Sequence, residues 1–319
     1  MIIHRDGWRY SGRVPAFFPG QASCFCCAAT VTNLYRSIYG NLTGGSDTTQ
    51  NYEYTGSWTA RTAASHAQQR RSCGGLADGN GYFAYGLYFN GSAFVSETDK
   101  YNSAGDSWTA LTSPSGTAYR GRAGTMPAKF YCFCGDNGSG TYTTAADEYD
   151  PSGDSWASKT AVSGVARTSS SAANDGTDCW NFGGVDTSVV AYARTDKYSV
   201  AGDSWSSQTA IGTARYASGN FTLTNYAYIC GGNSGATVYT NTDRYDMSTD
   251  TWTGKIAMSP ARCQQGGAAV TASSAGYSTG GVSTSGGSRL TTHDEYVENT
   301  WTNRTGITSA RQFNSCQQC

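Results

Sequence analysis

Apolar and polar residues alternate along this chain in short runs, and nearly every run is cut off by Gly, Asn or Asp. The stretch from Arg215 to Met258 divides into "RYASGNFTLT", "NYAYICGG", "VYTNTDRYD" and "DTWTGKIAM". Each piece is strand-length, and the second alternates aromatic and apolar residues up to a pair of glycines. The pattern predicts four short antiparallel strands joined by tight turns, with no helical periodicity.

The same pattern returns along the chain. "TDKYNSAGDSW", "ADEYDPSGDSW" and "TDKYSVAGDSW" end on Trp108, Trp156 and Trp205, and the full series is Trp58, Trp108, Trp156, Trp205, Trp252 and Trp301. These tryptophans are 50, 48, 49, 47 and 49 residues apart. A Tyr precedes each (Tyr54, Tyr101, Tyr149, Tyr198, Tyr245, Tyr296), and in all units but the first an Asp stands two residues before it (Asp99, Asp147, Asp196, Asp243, Asp294). Arg70, Arg120, Arg167, Arg215, Arg262 and Arg311 follow the tryptophans, and glycines, doubled at 183/184, 231/232 and 280/281, precede the tyrosines. Four strands in a repeat of nearly fifty residues make a propeller blade.

A strand ending in a double glycine, then Tyr, then Trp, then an Arg opening the next unit, resembles the kelch repeat. The resemblance runs from about Arg13 to Arg311. It implies an all-β chain folded as a six-bladed kelch-type β-propeller, four antiparallel strands per blade, with each first strand lining a central channel. On this reading residues 1–12 are an N-terminal segment, 13–310 the propeller and 311–319 a C-terminal strand. The double glycines should end a strand where a side chain would clash or φ must be positive. The "AGD" and "SGD" turns should use Gly for the special dihedral and Asp to bond the turn backbone. Tyr and Trp should pack between blades. The sixth unit already owns four strands, so the surplus termini could form a partial seventh blade, cap an edge, or be donated to a neighbouring subunit.

Composition narrows the function. With 22 Lys+Arg against 23 Asp+Glu, the net charge is −1, which gives a polyanion such as nucleic acid nothing to bind. The apolar runs are far too short for a membrane span. The opening "MIIHRDGWRYSGR" lacks the apolar segment of a signal peptide, so cytoplasmic synthesis is expected. Most of the 11 Cys then read as reduced, buried small hydrophobes, and the terminal pair Cys316 and Cys319 lacks a second pair at zinc-finger distance.

A residue repeated in every blade is a poor catalytic candidate, since an active site needs one arrangement. The Asp, Tyr, Trp, Arg and Gly series are therefore expected to be structural. Only His4, His66 and His293 are present, none in a shared motif, so no metal site and no cofactor are expected. That also argues against the site of the copper oxidases that are distant kelch relatives. Trp180 is expected in the core. Phe94, Tyr142, Tyr192 and Tyr239 stand at similar places in the polar connections after the glycines. They are the candidate ligand-binding residues, as stacking platforms for a sugar or peptide, set against a plain packing role.

These observations favour a non-enzymatic binding or structural module whose partners are proteins or a cell-surface glycan within a larger assembly. In style the chain also resembles kelch-like proteins of bacteriophages, which implies a virion component such as a tail fibre, receptor-binding or decoration protein. The alternative is a carbohydrate-active enzyme, a sugar epimerase or lyase, working at the channel mouth with Glu97, Arg194, His293 and Glu298 as candidate residues.

Overall fold

In the computed structural model the described residues are 49–64, 80–84, 96–114, 128–136, 141–270, 274–284 and 287–310, with strand backbones at 35–38, 41–42, 72–75, 88–89, 94–95, 122–125, 311–312 and 315–318. Among them there is no helix, and hence none long and apolar enough to cross a membrane.

The repeat folds as local hairpins. Sheet four, for example, runs Ser171–Asn174, Cys179–Phe182, Thr195–Ser199 and Ser204–Gln208, each strand antiparallel to the next. Five such four-stranded meanders follow one another, the sheets of Trp108, Trp156, Trp205, Trp252 and Trp301, numbered two to six here. Sheet one, that of Trp58, is composite. Its strands Tyr35–Ile38, Asn51–Tyr54 and Trp58–Arg61 are joined by Ser315–Gln318 as the innermost strand, with Ser37 opposite Cys316. The innermost strands touch in cyclic order, the C-terminal strand lying between those of sheets six and two. This is a β-propeller: five blades are continuous in sequence, and a sheet made from both ends of the chain closes the ring. The surplus C-terminal strand completes sheet one, and this closure covers a sheet edge that would otherwise be open to pairing with other chains. Residues 1–34 lie outside the described residues.

Blades are fixed to one another at their outer ends. Each indole N–H donates to a carbonyl of the preceding sheet: Trp108 to Thr62 O (2.9 Å), Trp156 to Thr112 O (2.9 Å), Trp205 to Thr160 O (2.8 Å) and Trp252 to Thr209 O (2.9 Å). The repeat tyrosines are buried, and in sheets four and five they pack with their tryptophans on the second strand of the preceding sheet: Tyr198 and Trp205 on Phe133 (5.6 and 4.9 Å), Tyr245 and Trp252 on Phe182 (5.4 and 5.5 Å).

The turn between Tyr and Trp corrects the sequence expectation. The residue with positive φ is the aspartate, at +45° for Asp106, +44° for Asp154 and +43° for Asp203, and not the preceding glycine. Nor does the carboxylate merely bond its own turn. Asp203 Oδ1 accepts from Tyr198 Oη (2.6 Å) and from the Thr160 amide of the sheet before (2.9 Å). Asp106, Asp154 and Asp250 do the same, with Asn299 taking the role in sheet six. The Tyr198 hydroxyl and the Thr160 amide hold the Asp203 carboxyl below its usual range.

The double glycines meet both demands expected of them. Gly183 has φ +61° and Gly231 +60°, and a Cβ on either would lie 2.3 Å from the carbonyl oxygen of Arg215 or Arg262. In sheet three Cys134 occupies the first glycine position, at φ +57°, and the strand carries an irregularity there. The described cysteines 132, 134, 179, 230 and 263 are buried and free, and burial pushes the Cys134 and Cys230 thiols up to about 11. Trp180 is in the core at 1% exposure.

Candidate functional site

The connections after the glycines and those leading into each inner strand share one end of the propeller. Three buried arginines organise it. Arg167, Arg215 and Arg262 reach the repeat aspartate on the third strand of their own sheet, Asp196, Asp243 and Asp294, each at 2.5 Å. Buried ions of opposite sign persist only when paired in this way. Around the channel a belt of main-chain bonds joins successive sheets: Ala217 N–H to Ser169 O and Gln264 N–H to Ala217 O, both 2.7 Å. All three belt residues are in the left-handed region (φ +57°, +53° and +60°) although none is glycine. The Arg and Asp series, read from the sequence as structural, are thus blade cement.

The four candidate aromatics separate into two registers. Tyr192 and Tyr239 pair with the second glycine of their sheets through Gly184 and Gly232, and their carbonyls accept from the Arg215 and Arg262 amides of the next sheet (3.2 and 3.3 Å). In sheet three the residue opposite Gly135 is Thr143, while Tyr142 faces Asp136. Phe94, opposite Phe89, shares Tyr142's register, since both precede the repeat Asp by five residues where Tyr192 and Tyr239 precede it by four. A one-residue offset in a strand turns a side chain to the other face, so the four do not form one ring. Tyr142, Tyr192 and Tyr239 are half-buried, and the side chain of Phe94 lies outside the described residues.

The hydroxyls of Tyr192 and Tyr239 brace their own connections, on Asp186 Oδ2 (2.9 Å) and Ser234 Oγ (2.6 Å). In sheet four this brace supports a strained tip. Asp186 Oδ1 accepts from the amides of Ser188 and Val190, both 2.9 Å, and its carboxyl is held below the usual range by the Val190 amide, with the Tyr192 hydroxyl adding to it. Between them Val189 is 63% exposed at φ +63°, with Val190 51% exposed beside it. A β-branched residue in the left-handed region is a true outlier. Asp186 and Val189 were not singled out from sequence; their signal is "VDTSVVAY", two adjacent valines inside an otherwise polar connection.

The residues named for an enzymatic site are not brought together. Arg194 makes a bidentate contact with Asp196 and donates to Ser163 O. His293 is wholly buried, bonded through Nδ1 to Thr279 Oγ1 (2.8 Å) and enclosed by Tyr54, Trp58 and Tyr277. Glu298 follows the far end of the strand His293–Val297, in the turn at the opposite end of the blade. Glu97 immediately precedes the third strand of sheet two, as Arg194 does in sheet four. His4, His66, the Arg70/Arg71 pair, Arg120 and Cys319 lie outside the described residues, as do the side chains of Arg122 and Cys316. Among the described residues no group of three His, Cys, Asp or Glu could hold a metal ion.

Fold and site together define a β-propeller with a braced connection end. No family model matches the chain, and no curated protein matches it. Among solved structures it is similar to one described as "Structure of YjhT", at 14% identity and a TM-score of 0.68, covering 84% of this chain and 96% of that one. At that identity the likeness shows the fold alone.

Proposed function

We propose that the chain is a six-bladed kelch-type propeller acting without chemistry of its own, as a binding or structural module of a larger assembly. The assembly we have in mind is a virion, with the chain serving as a tail fibre, receptor-binding or decoration component, in keeping with its resemblance to kelch-like proteins of bacteriophages. The observation that carries the reading is Val189. Exposed apolar side chains are ordinary, but a valine held in a costly backbone conformation by four hydrogen-bonding groups is a contact presented on purpose. The polar side chains beneath, Asp186 and Tyr192, are engaged in bracing this connection, so a partner meets a shaped surface in this region.

Electron microscopy of the purified chain tests the idea. The expected result is a fibre, lattice or decorated particle that Val189→Asp disperses. Val189→Gly should raise stability by about 0.5–1 kcal/mol by removing the strain, yet weaken the assembly. Solitary particles that turn over a sugar substrate would overturn the reading in favour of the enzyme.

A further inference from the structure

Where sheet six meets composite sheet one, the repeat breaks, and the break leaves a cavity. At the other five junctions a turn residue, aspartate in four and Asn299 in one, accepts from the repeat Tyr hydroxyl and from an amide of the preceding sheet. Sheet one has a shorter turn, Thr55-Gly56-Ser57, with no such residue. The indole clamp survives, Trp58 Nε1 donating to Thr305 O at 2.8 Å. The Tyr54 hydroxyl and the Thr305 amide, which elsewhere would share a carboxylate, have no acceptor among the described residues. Both residues line a cavity of about 460 Å³ whose other walls are Thr55, Gly56, Tyr277, Glu295, Asn303 and Arg304.

The junction between sheets one and two is an internal comparison. There Arg61 Nε holds Glu53 at 2.8 Å; here Arg304 Nε holds Glu295 at 2.8 Å, from the same repeat positions. Beside the first pair, Asp106 takes the bonds of Tyr101 (2.5 Å) and Thr62 (2.9 Å). Beside the second, the same two donors and the same cation are in place and the carboxylate is missing. Glu295 does not supply it, being engaged by Arg304 and by the Tyr277 hydroxyl (2.5 Å). We infer that this cavity binds the carboxylate of a small organic acid, up to an acidic monosaccharide in size, which takes the place of the absent turn aspartate on Tyr54, Thr305 and Arg304. A volume of this order fits a single sugar ring. The site lies at the turn end of the blades, away from the Val189 tip, and does not depend on the function proposed above.

The ¹⁵N-labelled full chain, titrated at constant ionic strength with acetate, galacturonate, acetamide, galactose and chloride, tests this. Both carboxylates should shift the Thr305 amide and the Trp58 indole N–H; the neutral compounds and chloride should not at tenfold higher concentration. Tighter binding of galacturonate than acetate assigns a sugar acid, and equal binding assigns a simple acid. Tyr54→Phe should weaken binding at least tenfold. Replacing residues 55–57 by the Asn102–Ser107 turn should abolish it, because the grafted aspartate fills the place. Should that graft fail to fold, Tyr54→Phe still decides. Shifts that persist in Tyr54→Phe or in a folded graft, equal shifts with galactose or chloride, or no shift with either carboxylate would overturn the inference.

Discussion

His293 makes the stability of the ring depend on pH in a calculable way. Three other third strands place Thr98, Thr195 and Thr242 at this position, whereas His293 sits fully buried between sheets six and one against Tyr54, Trp58 and Tyr277. Burial, reinforced by the charges of Arg262 and Arg304, lowers its pKa from 6.5 to about 3. The unfolded chain therefore binds a proton below about pH 6.5 that the folded chain refuses until about pH 3. Stability is complete above the unfolded value and falls as pH drops through that window. At pH 5 the loss is about 2 kcal/mol, on a ceiling of about 5 kcal/mol, at 1.36 kcal/mol per unit. His293→Thr restores the common residue and removes the titration. It should cost roughly 1–3 kcal/mol at pH 7.5 through lost ring packing, and the gap should shrink by about 2 kcal/mol by pH 5. Urea midpoints of both proteins at half-unit steps from pH 7.5 to 5.0 measure this, and titrations common to both proteins cancel in the difference. Parallel loss of stability in the two proteins would refute the reasoning.

Gly231→Ala combines φ +60° with a Cβ 2.3 Å from Arg262 O, and should cost 3 kcal/mol or more, on the order of an overpacked core substitution with backbone strain added. Gly235→Ala, at φ +70° in open space, should cost only about 1 kcal/mol, and denaturant titration of the pair separates strain from clash. Arg262→Met strands Asp294 in the interior with Asn303 (2.9 Å) as its remaining side-chain donor, for an expected loss of about 3–5 kcal/mol in the same assay. Deleting residues 313–319 removes the innermost strand of sheet one and bares the edge Tyr35–Ile38; light scattering should show aggregation that adding back a peptide of that sequence reduces.

The blades could be read from the chain because every sheet but one is a succession of local hairpins. Tyr, Trp and Arg mark the same places in each, with Gly-Gly in three of them, and contacts between neighbours repeat with them. The Arg and Asp series were read as structural for the same reason, and the structure adds that they pair within a blade. The four aromatics were misjudged as a set: Phe94 and Tyr142 differ from Tyr192 and Tyr239 by one residue of register, which a loose alignment of connections hides and strand geometry converts into opposite faces.

Periodicity by itself determined that this chain builds repeated four-stranded units with Trp and Tyr wedged between them, since hairpin formation and burial depend on residues close in sequence. Only the tertiary structure decided which strand closes the ring, that each turn carboxylate ties one blade to the one before, and that a shortened turn leaves Tyr54 and Thr305 facing an open cavity. Those outcomes rest on bonds to main-chain groups of distant segments, and main-chain groups are the same whatever side chains the sequence writes.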